Sequence, residues 1–217
     1  LPIFKPIPRV VACSGLPWEE HTIDAISFAE MRPGCYDPVA RLADMDVARV
    51  ERSLCFPYIT RFAGQMFLEA RDKDLALACV RAYNDWMIDE WCGGAGAGRL
   101  IPLTIVPLWD AELAAAEVRR CADKGSYAVA FTENPYPLGL PSIHDKDGFW
   151  NPFFQACDDT GTVVNMHIGS SSSMPSAHLL EKREAFMPAP ALMTSSSAVY
   201  VDYSNAIPRF LRKKLMM

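Results

Sequence analysis

The residues with the clearest chemical potential sit in the run Asn165-Met-His167-Ile-Gly169, and four serines, Ser170 to Ser173, follow it. His167 stands at the C-terminal end of a strand predicted over residues 162–168. Alternation along that strand puts Val163, Asn165 and His167 on one face and Val164, Met166 and Ile168 on the other. The apolar set suits a layer of helices. The set with Asn and His suits the inner face of a barrel, whose active site lies at the C-terminal ends of the strands. Imidazole is a common ligand for zinc and related ions. A hydrogen-bonded core histidine is the other reading of His167. Serine chemistry with Ser170 and His167 needs a strained elbow such as G-x-S-x-G, which the chain lacks. The serine run therefore predicts a flexible polar loop at the mouth of a site.

Two further candidates lie near the same end. Glu133 follows a strand predicted over 127–132 and precedes Asn134-Pro135, a constrained turn. Its carboxylate suits proton handling, or it closes the loop. His144, in Pro141-Ser142-Ile143-His144, belongs to a loop and is a candidate for binding a substrate carboxylate, against a solvated loop histidine. Asp110, just after the second predicted strand, is a candidate metal contact or general base against a helix N-cap, and the N-cap is the favoured reading. His21 and His178 fall in irregular segments and carry no signal.

The elements that would position these groups alternate. Strands are predicted at 53–58, 100–106, 127–132 and 162–168. Helices are predicted from Pro38 behind its cap Asp37, over 74–91, after Asp110 as far as Gly125, and over 148–158. In the 74–91 helix the apolar face is read as Leu75, Cys79, Val80, Tyr83 and Met87. Strand, helix, strand is the signature of a parallel α/β sheet with helices outside. No GxGxxG or Walker-type loop follows a strand, which leaves a barrel as the better architecture than a nucleotide-binding sheet.

Composition narrows the function classes. A net charge of −5 gives no basic footprint for nucleic acid. No apolar run is long enough to span a bilayer. Prolines 2, 6 and 8 with Lys5 and Arg9 interrupt the first residues, which are not expected to be a signal peptide. The seven cysteines contain no CxxC pair; they read as reduced, inert packing residues of a cytoplasmic protein. The tryptophans Trp86, Trp91, Trp109 and Trp150 read as core.

Several stretches, in one order, resemble the amidohydrolase-related superfamily, the group that includes aminocarboxymuconate-semialdehyde decarboxylase. They are Arg32-Pro-Gly-Cys-Tyr-Asp-Pro38, Ala40-Arg-Leu-Ala-Asp-Met-Asp46, Arg81-Ala-Tyr-Asn-Asp-Trp86, Pro107-Leu-Trp-Asp110, Glu133-Asn-Pro135 with Leu138-Gly-Leu-Pro-Ser-Ile-His144, and Met166-His-Ile-Gly-Ser-Ser171. A weaker echo is Ile207-Pro-Arg-Phe210 with Lys214-Leu215. The resemblance implies a (β/α)8 TIM-type barrel and a divalent metal, zinc first. It implies hydrolysis, or loss of carbon dioxide from a small unsaturated or aromatic carboxylic acid. Complete members carry a His-x-His pair on the first strand, a His on the fifth and an Asp on the eighth. His167 matches the fifth-strand ligand, and no His-x-His occurs in these 217 residues. The expectation is a single domain, 1–217, holding about strands two to six of a barrel that typically takes about 250 residues. Glu133 and His144 are its catalytic candidates and His167 its metal ligand. With so few of the ligands, this chain is expected to hold little or no metal, and open strand edges favour a homo-oligomer. The rival expectation is a catalytically inactive partial barrel with a structural or partner-binding role.

Overall fold

A computed structural model describes residues 17–20, 27–167, 169–172 and 215–216. His21, Ile168, Ser173 and His178, named above, lie outside the described residues, as do the N-terminal prolines and the 207–214 stretch. The chain divides into two compact units: Leu1–Cys55 with Asp85–Pro102, and Phe56–Asn84 with Leu103–Met217.

In the first unit, Asp37 caps helix α1 (Pro38–Val47), its carboxylate accepting from Val39 N at 2.8 Å. Pro38 fits the first helical position because no bond is needed from its nitrogen there. Met45 is buried and Leu42 half-buried, the face the spacing predicted. Arg32 grips Asp44 with two bonds, 2.8 and 2.6 Å. A side chain at Gly34 would come within 2.1 Å of that same carboxylate, so the grip requires glycine. Strand β1 (Ser53–Cys55) pairs in parallel with β2 (Leu100–Pro102). Both are shorter than predicted. Pro57 and Pro102 lack the N–H that would continue a ladder.

The predicted helix over 74–91 is α3 (Lys73–Asp85) followed by a π-helical stretch, Trp86–Trp91. Gly93 ends it by close approach: a Cβ there would lie 2.4 Å from Ile88 O. Of the predicted face, Val80 and Met87 are buried and Tyr83 is half-buried, but its first two members are not. Leu75 and Cys79 are exposed, and the buried positions of α3 are Ala76, Val80 and Asn84. The apolar pattern missed this because Asn84 is buried for its hydrogen bonds rather than its hydrophobicity. Trp86 is likewise 42% exposed, tilted against Trp91 with centroids 5.9 Å apart, and is not core.

The cysteines differ in burial and in the direction in which their surroundings shift the thiol. Cys55 is half-buried at the end of β1. A hydrogen bond from Cys92 lowers its thiol to about 7, with help from Trp91, the Arg41 charge and the backbone of Ile101. Sharing that bond and being buried push Cys92 up. Burial first, then the Glu117 charge, holds Cys121 up at about 12. The thiolate is the nucleophile, so iodoacetamide should label Cys55 at a rate that climbs through pH 7 while Cys121 stays unlabelled. Peptide mapping by mass spectrometry reads this. A Cys55 that labels only above pH 8.5 contradicts it.

The second unit builds on β3 (Ala128–Phe131), every residue of which is buried. It pairs in parallel with β4 (Val163–Met166), and β4 with β5 (Leu215–Met216). Thr104 adds a parallel bridge to Val129. Helix α2 is a single turn, Gln65–Leu68. Asp110 caps α4 (Ala111–Asp123) through two 2.9 Å bonds to Glu112 N and Leu113 N, as predicted, an interaction worth about 1 kcal/mol. Helix α5 (Asn151–Thr160) packs on α4. Val129, Phe131, Val164 and Met166 join the core that these helices supply, with Val118, Phe153 and Phe154. Phe131 stacks on Phe153 at 4.6 Å and meets Trp150 edge-on at 4.9 Å. Each such ring contributes roughly 1.5–3 kcal/mol through burial. The fold is mixed α/β with parallel strands.

Candidate functional site

The core-facing set on β4 is Val164 and Met166, which leaves Asn165 and then His167 on the opposite face, as alternation requires. Asn165 is buried, and its amide donates to Val163 O at 2.9 Å and Val129 O at 3.5 Å. His167 is half-buried just past the strand end. Its ring stacks on Phe62, centroids 3.7 Å apart at 16°, and meets Phe56 edge-on at 5.4 Å.

Ser170 and Ser171 do not lie in the loose loop that polarity predicted, although Ser172 is exposed. Ser170 is fully buried and Ser171 is 4% exposed. Glu133, placed by the end of β3, explains this. One of its carboxylate oxygens accepts from Gly169 N at 3.0 Å and Ser171 Oγ at 2.8 Å. The other accepts from the Ser170 hydroxyl. Ser170 Oγ in turn accepts from Glu133 N at 2.9 Å. The Ser170 proton thus points to a carboxylate, in a buried turn, which is the wrong arrangement for a nucleophile activated by His167.

Gln65 completes the enclosure. It is 1% exposed, accepts from Ala63 N at 2.9 Å and donates to Ser170 O at 2.7 Å. Arg61 pairs with Glu69 and reaches Ser172 Oγ at 3.4 Å. Arg61 and Ser172 both hold left-handed backbone conformations, φ 62° and 58°, which are uncommon outside glycine. The structure thus brings together His167, Glu133, the serine turn and the 61–65 segment. His144 is exposed on its loop, and its backbone N–H donates to Ser142 Oγ at 3.2 Å.

Phe56, Phe62 and Gln65 were missed by sequence reasoning. The short segment from Phe56 to Gln65 has no periodicity to read. The one available signal was a Gln inside the apolar run Ala63-Gly-Gln-Met-Phe67.

The comparisons bear on this arrangement. A sequence profile of the amidohydrolase family matches residues 9–202. The chain belongs to the amidohydrolase family. Among solved structures, an amidohydrolase from Mycobacterium avium subsp. paratuberculosis K-10 superposes with a TM-score of 0.51 at 20% identity. The match covers 85% of this chain and 48% of that one, so the chain spans about half the length of this amidohydrolase. At that identity the likeness concerns the fold. No curated protein matches the chain. No described helix is long and apolar enough to cross a membrane.

Membership raises the question of a metal. Among the described residues there is no group of three His, Cys, Asp or Glu that could hold one. A catalytic zinc takes three protein ligands. His167 is a suitable donor on its own, but the described residues around it do not make a metal site.

Proposed function

We propose that this chain is part of a metal-dependent amidohydrolase-type enzyme built on a (β/α)8 barrel. The carrying observation is His167, one residue beyond a parallel β4, on the face turned away from the helices, within a chain of the amidohydrolase family. In this reading His167 is one ligand of a divalent metal, zinc first, and other ligands come from beyond the described residues. His144, exposed on its loop, is the candidate for binding a substrate carboxylate. The reaction proposed is hydrolysis, or non-oxidative decarboxylation, of a small unsaturated or aromatic carboxylic acid.

The two reactions separate in one experiment. Purified full-length protein, loaded with zinc or manganese, is incubated with a panel of aromatic and unsaturated acids and with their amides and lactones. Carbon-13 NMR then follows carbon dioxide release against ring opening or amide cleavage. Turnover of acids alone assigns decarboxylation, and turnover of amides or lactones assigns hydrolysis. A metal-loaded protein that turns over neither class favours a catalytically inactive barrel with a partner-binding role.

A further inference from the structure

We propose that Glu133 is a positioning residue for His167, acting through the buried turn 169–171 and not on substrate, an inference that rests on reading His167 as the working group of the site. A general base must turn a lone pair toward the proton it takes. The Glu133 carboxylate instead spends its oxygens on three donors from one turn: Gly169 N, Ser170 Oγ and Ser171 Oγ. A carboxylate offers about four such positions, so most of its capacity faces inward. Its own backbone N–H is bound to Ser170 as well.

What this fixes is the chain on either side of His167. Before it, β4 is paired to β3 through Met166. Beyond it, the Glu133 carboxylate holds the turn. Gln65 then ties that turn to the segment carrying Phe62, because one amide serves both Ser170 O and Ala63 N. The imidazole and the phenyl ring on which it stacks are therefore held by the same small set of side chains. Arg61 and Ser172, the two left-handed non-glycine residues at this place, border the set and touch each other. Such conformations persist where the surroundings over-determine them. Side chains that orient a ligand are known to matter nearly as much as the ligand itself, at about 10–100-fold in metal affinity.

The test reads the ring directly. In protein labelled with nitrogen-15 and carbon-13 at histidine, the imidazole resonances of His167 are displaced by the Phe62 ring current. Glu133→Ala should abolish that displacement while far-UV dichroism and a cooperative melt persist. Glu133→Gln keeps an acceptor for Gly169 N and should restore most of it. Gln65→Leu should move the signals in the same direction as Glu133→Ala. His167 signals unmoved in Glu133→Ala overturn the proposal. If that variant does not fold, Ser171→Ala and Gln65→Leu carry the test, and signals unmoved in both overturn it. A zinc titration of the full-length protein separates this from the functional reading. Zinc affinity should fall about 10–100-fold in Glu133→Ala. Zinc binding unchanged by His167→Ala overturns His167 as a ligand, and the ring signals still decide the positioning. Zinc lost in His167→Ala, with ring and affinity unchanged in Glu133→Ala, overturns the positioning alone.

Discussion

His167→Ala should remove bound metal and activity together in the full-length protein. A site that loses one of three protein ligands no longer competes with solvent for a divalent ion. The interactions lost with a metal are worth several kcal/mol in the transition state. At about 1.4 kcal/mol per decade, this is on the order of a thousandfold in rate. The fold should survive, because His167 is half-buried and contributes ring contacts to Phe62 and Phe56, not to the helix-side core. Elemental analysis after dialysis against a mild chelator, with dichroism as the control, measures both halves. A variant that keeps stoichiometric metal, or keeps activity within tenfold, contradicts the assignment.

The second large effect concerns stability, at Asn84. This residue is fully buried. Its amide acts as a surrogate strand: the nitrogen donates to Ile105 O at 2.9 Å and the oxygen accepts from Ile105 N at 2.9 Å. The same nitrogen donates to Glu117 at 2.7 Å. Glu117 is itself buried and is held by Arg120 at 2.9 and 2.7 Å, with Arg81 at 3.7 Å. Asn84→Ala strands a buried N–H and a buried C=O at Ile105, each worth roughly 1–3 kcal/mol. The expected loss is about 3–5 kcal/mol, a large share of the roughly 5–15 kcal/mol of a typical domain. Asn84→Asp has a distinct signature. It sets a second carboxylate against Glu117, and burial and like charge raise the pKa of the new group above its unfolded value. A raised carboxyl pKa means that the penalty is full at neutral pH and is relieved as pH falls through the folded pKa. The Asn84→Asp deficit should therefore shrink on acidification, while the Asn84→Ala deficit does not follow the titration of a new carboxyl. Urea melts at several pH values measure this, and an Asn84→Ala loss below 1 kcal/mol contradicts the network's role.

How much of this was legible in the sequence differs by residue. The β4 alternation was legible because Val164 and Met166 are apolar, Asn165 is not, and a strand has only two faces. The caps Asp37 and Asp110 were legible because capping is local: the oxygen reaches backbone two or three residues on. Strand ends were not, since Pro57 and Pro102 break ladders whose partners lie far along the chain. The α3 face failed at Asn84, and the serine turn failed at Ser170. Both are polar side chains buried by partners at long separation, Ile105 and Glu117 for one, Glu133 and Gln65 for the other. Hydrophobic periodicity reads what water rejects, and it is blind to polar groups that find their partners only after folding. Glu133 was noticed for its place after a strand. Its partners are set by the fold and could not be read from spacing.

The most direct test of His167 as a metal ligand is anomalous diffraction at the zinc edge from crystals of the full-length protein grown with zinc. The account predicts an anomalous peak about 2.0–2.1 Å from an imidazole nitrogen of His167, on the face of β4 that carries Asn165. A zinc peak at full occupancy elsewhere in the protein, with the His167 imidazole still stacked on Phe62 and bound to no metal, would contradict it.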